Sequence, residues 1–170
     1  MRYIVRRRQR SAWKGLVAGL AGGLVASWGM NQFQKVMAKA AHSRDNGHRS
    51  EEEDITAKTA DAVYHAISGR HLDKEGRRKG GAIVHYAFGT ALGGAYGAAA
   101  EVMPKVKAYG GLPYGALVFA GVDEAALPLL KLSKKPQEYP VSTHLYALSS
   151  HLAYAAAADG VRRLVRRLLR

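Results

Sequence analysis

The sequence contains no cysteine in its 170 residues, which excludes disulfide frameworks, cysteine zinc sites and thiol catalysis. Proline is scarce, with five residues, and aromatic residues make up only 8% of the chain. Acidic residues are half as common as basic ones, 13 against 26, so the formal net charge is +13. Glycine and alanine are abundant instead, at 19 and 29 residues, which is typical of closely packed helices. The length predicts a single domain, residues 1–170.

The basic residues are concentrated at the two ends of the chain. Residues 1–14 contain six Lys or Arg and no acid, and residues 159–170 contain five Arg and one Asp. A nucleic-acid-binding protein more often spreads its basic residues over one folded face. We therefore rank a nucleic-acid partner last and expect the Arg-rich termini to contact anionic lipid headgroups.

Four long stretches of the sequence carry no Asp, Glu, Lys or Arg. Three have the roughly 20 residues that an α-helix needs to cross a bilayer. The other is shorter, and the span predicted from it, residues 108–130, is interrupted only by Asp123 and Glu124. We predict an all-α, polytopic membrane protein with a four-helix transmembrane bundle, whose spans cover residues 15–34, 80–100, 108–130 and 139–158. The alternative is a soluble, alanine-rich bundle, although soluble helices normally carry a charged face.

The first block has a second interpretation as a signal peptide, and Arg6, Arg7 and Arg8 even resemble a twin-arginine signal. Its apolar run continues past Trp28 without a small-x-small cleavage site, which favours a retained helix. Four spans place both termini on one side of the membrane. The positive-inside rule then predicts that both are cytoplasmic, in a bacterial inner membrane.

The connector 35–79 is predicted to contain one amphipathic helix. Ser50 and Glu53 form a capping box, and the helix should end at Gly69. Its apolar residues recur with helical spacing: Ala60, Val63, Tyr64 and Ile67. We expect this helix to lie on the outer membrane surface or to cap the bundle, with a partner-binding role as the alternative, and residues 37–47 to form a flexible turn.

Glycine residues recur at every fourth position in three of the spans. Such stripes let helix backbones approach closely within lipid. The glycines assigned to helix packing are Gly19, Gly23, Gly89, Gly93, Gly97 and Gly115. They also support an alternative function as a structural or accessory subunit, which packs against a second copy or a partner in a membrane complex.

Five ionisable residues lie inside the predicted spans, where they are costly and usually mark a site. They are His85, Asp123, Glu124, His144 and His151. A rise of about 1.5 Å per residue places the first four at one depth. His151 lies about 10 Å from His144 on the same helix, deeper in the predicted span.

These residues predict a polar intramembrane site that handles protons or a divalent metal. A metal would use His85, Asp123 and His144, and a proton path would include His151 as well. The plainer alternative is interhelical hydrogen bonding. Because Ser149 and Ser150 do not form a nucleophile–base pair with His151, we do not predict an enzyme.

From residue 83 to residue 168 the order of features resembles the YagU-type inner-membrane proteins of bacteria, a family of uncharacterised function. The similarity rests on His85 in a glycine-spaced helix, on the run Glu101-Val102-Met103-Pro104-Lys105-Val106-Lys107, on Pro128-Leu129, and on His151-Leu152 followed by Arg162-Arg163. The resemblance implies a multi-helix inner-membrane protein without assigned catalytic residues. The family pattern has a histidine where this chain has Asp123.

Overall fold

Five helices account for most of residues 11–40 and 46–169, the residues that this computed structural model describes, and no strand occurs among them. The helices are α1 (Ala12–Ala40), α2 (Asn46–Ser68), α3 (Lys74–Val102), α4 (Leu112–Gly121) and α5 (Val141–Leu168). A 3₁₀ segment (Pro104–Gly111) precedes α4, which continues through a π-helical turn (Val122–Ala126) into a last α-helical turn (Leu127–Leu129). The all-helical prediction is therefore confirmed for this part of the chain.

Local sequence explains where several helices begin and end. Asp73 caps α3, because its carboxylate accepts a hydrogen bond from the backbone N–H of Gly76 at 2.7 Å. Gly111 precedes α4 with a φ of 84°, which glycine adopts without strain. Pro113 then occupies the first turn of α4, where a missing N–H costs nothing.

Helix α1 lies between α3 and α5 and runs antiparallel to both. At one end of the bundle, the Nζ of Lys14 donates a hydrogen bond to the backbone oxygen of Leu169 at 2.8 Å. Helix α4 packs on α5, and the hydroxyl of Tyr114 donates to the backbone oxygen of Leu92 in α3 at 2.8 Å. The four helices α1, α3, α4 and α5 thus enclose a common interior, and α2 packs on the outside of α3.

The glycine stripes of α1 and α3 face one another. A Cβ atom at Gly19 would overlap the backbone oxygen of Gly93, and one at Gly93 would overlap the Cα of Gly23. The other predicted packing glycines lie equally close to a neighbouring helix: Gly89 and Gly97 against α1, and Gly115 against α5. These stripes are covered within the chain, so they do not form a surface for a second copy or a partner.

The predicted spans lie mainly within α1, α3, α4 and α5. The third block departs from the prediction, because Ala108, Tyr109 and Gly110 have non-helical backbone angles before α4 begins. Over the described residues, no helix combines the length and the hydropathy expected of a membrane-crossing segment.

The connector helix α2 begins at Asn46, which corrects the start predicted from Ser50. Its predicted apolar face is divided, because Ala60 is buried beside Gly80 of α3 whereas Val63, Tyr64 and Ile67 are exposed. Of the turn predicted at residues 37–47, residues 37–40 belong to α1 and 46–47 to α2, and the remainder lies outside the described residues. Residues 1–10, with most of the basic N-terminal cluster, lie outside them as well.

Asp61 fixes α2 to the start of α3. Its carboxylate accepts hydrogen bonds from the backbone N–H of Leu72 at 2.7 Å and pairs with Arg77 at 3.0 Å and His71 at 3.0 Å. The hydrogen bond from Leu72, with these partners, holds the pKa of Asp61 below its ordinary value of 3.8.

Replacing Gly93 by Leu should separate α1 from α3, because the new side chain has no space against the backbone of Gly23. We expect a destabilisation of about 3 kcal/mol or more, seen as a lower melting temperature of the purified protein. Gly29→Leu is the matched control, since nothing lies within 4 Å of a Cβ at that helical position. If both variants melt alike, close approach of α1 and α3 is not what holds the bundle together.

Candidate functional site

The π-helical turn at the end of α4 presents two adjacent carboxylates to α5. Within it, the backbone N–H of Leu127 bonds the carbonyl of Val122, five residues back instead of four. Pro128 explains the wider turn, because it has no N–H and its ring would clash with the carbonyl four residues before it. Asp123 and Glu124 each contact a histidine of α5 in this geometry, whereas neighbours on a regular helix point apart.

Glu124 and His144 form the outer of two carboxylate–imidazole pairs. The Oε1 of Glu124 lies 2.6 Å from the Nδ1 of His144, and the Nε2 of the same ring lies 3.1 Å from the backbone oxygen of Pro136. Because a carbonyl can only accept, Nε2 carries a hydrogen. A single proton between Nδ1 and Oε1 then completes the pair, and it can reside on either atom.

Asp123 and His151 form the deeper pair. The Oδ2 of Asp123 lies 3.7 Å from the Nδ1 of His151, and that nitrogen also lies 2.9 Å from the backbone oxygen of Ala147. Nδ1 is therefore the donor atom, and the other ring nitrogen is left to accept or bind a proton. His151 thus pairs with a carboxylate that was predicted to lie at the outer level.

His85 lies on the opposite wall, on α3. Its Nε2 is 3.4 Å from the backbone oxygen of Ser27 in α1, and its ring meets that of Tyr86 edge-on at 5.4 Å. It makes neither of the carboxylate contacts described above, so its role in this structure is to join α3 to α1.

One cavity brings the five predicted site residues together. It has a volume of about 370 Å³, and residues of all five helices line it, including His85, Asp123, Glu124, His144 and His151. Helix α2 contributes Ile55, Thr56 and Thr59 to the lining. The connector helix therefore covers this cavity, which corresponds to the capping position that was one of its two predicted placements.

The residues predicted to bind a metal are not arranged as a ligand set. Nowhere in residues 11–40 and 46–169 do three or more His, Asp or Glu side chains converge as a metal site would require. The reason is the pairing described above: Glu124 engages His144, Asp123 faces His151, and His85 bonds α1. In the described part of the chain, His85, Asp123 and His144 therefore do not converge on one point.

A buried ion-pair cluster lies at the other end of the bundle, among arginines that the sequence predicted to contact lipid headgroups and not to belong to a buried cluster. Asp159 is 1% exposed and accepts from Arg162 at 2.7 Å and Arg163 at 2.6 Å. Arg166, 4% exposed, binds both carboxylate oxygens of Glu101 in α3, at 2.9 and 3.1 Å. The spacing of Asp159 from arginines three and four residues later was the available signal.

Glu101 remains ionised in this cluster. Burial raises the pKa of Glu101, but the hydrogen bonds from Arg166 and from the backbone N–H of Ser11 outweigh burial, so the pKa lies below its usual value. The pair joins the last turns of α3 and α5 to the first described residue of the chain.

Replacing Arg166 by Met should destabilise the protein by about 3 kcal/mol, because the partly buried carboxylate of Glu101 would lose its guanidinium partner. Arg167→Met is the matched control, since Arg167 is exposed on the next position of the same helix. Thermal melting of the two variants checks the difference. Equal melting temperatures would contradict a structural role for the buried pair.

Comparison with known proteins gives one match. A family model described as "Protein of unknown function (DUF1440)" matches residues 63–159, which include α3, α4, the π-helical turn and most of α5. The matched region contains all five cavity residues named above. The chain matches no curated protein and no solved structure.

Proposed function

This chain belongs to the DUF1440 family, and we propose that it is an integral protein of the bacterial inner membrane whose bundle holds a proton-exchanging site. The proposal includes membership of the YagU type, because the resemblance over residues 83–168 overlaps the matched region 63–159. The site consists of the two carboxylate–imidazole pairs, Glu124 with His144 and Asp123 with His151.

The observation that carries the membrane assignment is the distribution of side chains between interior and surface. Large apolar residues point outward: Leu24 is 52% exposed, Ile83 68% and Leu117 67%. The buried residues include Ser27, Gln34, Ser150, Asp159, Arg162 and Arg166. A water-soluble protein rarely exposes so much contiguous apolar surface while it buries charge. Both the exposed apolar side chains and the buried charged ones are expected if lipid, and not water, surrounds the bundle.

The outer face of α1 illustrates the pattern. Its large exposed apolar residues are Trp13, Leu16, Val17, Leu20, Leu24, Val25 and Trp28. The two tryptophans lie fifteen residues apart, about 22 Å along the helix. Tryptophan is enriched where a membrane protein meets the headgroups on either side of the hydrocarbon. Lys14 lies next to the first tryptophan, and Lys35 lies seven residues beyond the second.

The modest hydropathy of the helices is compatible with this proposal. An average over a helix includes every face, whereas lipid contacts only the outer one. The inner faces of α1, α3 and α5 carry glycine, serine, tyrosine and charged residues, which lower the average without meeting lipid. In a bundle packed through small residues, the outer surface is therefore more apolar than the sequence as a whole.

We further propose that the end of the bundle with Lys14 and Leu169 faces the cytoplasm. The first and last described turns meet there, as an even number of crossings requires. Arg163, Arg167 and Lys105 are exposed at this end and suit anionic lipid headgroups. The cavity with Glu124 and His144 then opens toward the opposite side of the membrane.

Proton exchange is the chemistry that the paired groups support best. Histidine changes its charge between about pH 5 and pH 8, and each histidine here has a carboxylate beside it. Protonating one partner stabilises a charged pair, and removing the proton leaves the carboxylate to attract the next cation. Two such pairs along α5, at His144 and His151, give a proton two binding positions about 10 Å apart.

Membrane integration can be tested by fractionating cells that express the full chain. We expect the protein to stay with the membranes after alkaline carbonate washing and to be released only by detergent. Leu24→Arg should reduce the integrated fraction several-fold, because arginine within a span costs about 3 kcal/mol on insertion. Lys39→Arg is the control, since position 39 is already charged and exposed. Release of the wild-type protein by carbonate would contradict the proposal.

The shared proton can be tested by infrared difference spectra of the purified protein between about pH 8 and about pH 5. We expect carboxylate and imidazole bands that change together in the wild type. Glu124→Gln should remove the carboxylate component and alter the imidazole component. Glu138→Gln removes an exposed carboxylate outside the cavity lining and should preserve both. A wild-type spectrum unchanged by Glu124→Gln and by Asp123→Asn would refute the site.

A further inference from the structure

The cavity combines negative charge with the absence of fixed positive charge. Two carboxylates, Asp123 and Glu124, line it, and no Lys or Arg does so among the described residues. The histidines beside the carboxylates are the groups that can supply positive charge, and each does so only when protonated. A ligand that enters in their unprotonated state therefore meets a net negative site, which repels anions.

The walls of the cavity are largely apolar and aromatic. Met30, Ile55, Val84 and Leu92 contribute aliphatic side chains from three different helices. Aromatic rings come from Phe88 on α3 and from Tyr139, Tyr146 and Tyr154. Aromatic faces attract organic cations, and apolar walls favour a ligand with a hydrocarbon body. A small hydrated metal ion would use neither feature.

The volume of about 370 Å³ falls within the range of small-molecule sites, about 300–1,000 Å³. A neutral apolar ligand of that size would cover the carboxylates without compensating their charge, which is costly. An organic cation with an apolar body satisfies both the charge and the walls.

We propose that this cavity binds a small organic cation, an amine or quaternary ammonium compound with an apolar or aromatic body, in competition with protons. The inference rests on the proposed function, since it uses the same two carboxylates. Protonation of His144 and His151 neutralises the carboxylates that would otherwise hold the ligand. Deprotonation of the pairs favours the cation, and protonation releases it.

The groups that face the carboxylates define this competition. From α5 they are His144 and His151, and α3 contributes His85 to the same lining. Of the residues that the structure describes in α1 and α2, those in the lining are uncharged, such as Ser27 and Thr59. Among the described residues, the three histidines are thus the lining groups that can carry positive charge.

Equilibrium dialysis of radiolabelled benzyltrimethylammonium against the purified, detergent-solubilised full chain tests the proposal. The charge of this quaternary probe does not change with pH, so any pH dependence belongs to the protein. We expect saturable binding that is about tenfold tighter at pH 8 than at pH 5. Neopentylbenzene, its uncharged carbon isostere, should fail to displace the probe.

Asp123→Asn and Glu124→Gln should each weaken probe binding about tenfold or more, because each removes one charge a few Å from the bound cation. Glu138→Gln should leave binding unchanged, and melting temperatures establish that all variants fold. Displacement by neopentylbenzene, or binding unaffected by both substitutions, would overturn the proposal. Absence of probe binding at pH 8 in a protein whose infrared spectra show the coupled bands would overturn this inference alone and leave the proton site standing.

Discussion

The close approach of α1 to α3 is the contact on which the rest of the bundle depends. It exists because glycines of the two helices face one another at Gly15, Gly19 and Gly23 against Gly97, Gly93 and Gly89. With no side chains between the backbones, α1 approaches α3 closely, and Gly22 beside the same stripe lets α1 pack against Ala158 of α5 as well. Helices α3 and α5 therefore make few direct contacts, and the cavity occupies the space that they leave near one end.

The carboxylates at the two ends of the bundle have different charged partners. At the end with Leu169, two arginines and two carboxylates form ion pairs: Arg166 with the partly buried Glu101, and Arg162 with the buried Asp159. Such pairs fix geometry more than they add stability. At the cavity end, each carboxylate has a histidine as its nearest charged partner, and histidine can lose its charge. The arginine–carboxylate pairs thus stay charged, whereas the histidine–carboxylate pairs at the cavity end can change their protonation state.

The sequence predicted the helices well, because charge-free blocks and glycine spacing depend only on local pattern. It also grouped five ionisable residues that line one cavity, since a constant rise per residue converts position into depth. It did not predict which carboxylate meets which histidine, because that depends on the π-helical turn before Pro128. Nor did it predict the buried arginines, because a positive cluster at a chain end has the same composition whether it faces headgroups or Glu101. The start of α2 was misplaced because Ser50 has the sequence of a cap but lies inside the helix.

The central position of α1 has a consequence for the order of assembly during synthesis. Helix α1 is made before α3 and α5, which both pack against it, and its partner residues lie far along the chain: Gly97 for Gly15, and Ala158 for Gly22. Until α5 is made, one side of α1 has no neighbour of its own chain. The bundle, with its cavity, can therefore close only after α5 has been made, and a chain that stops before α5 lacks His144 and His151, which line the cavity.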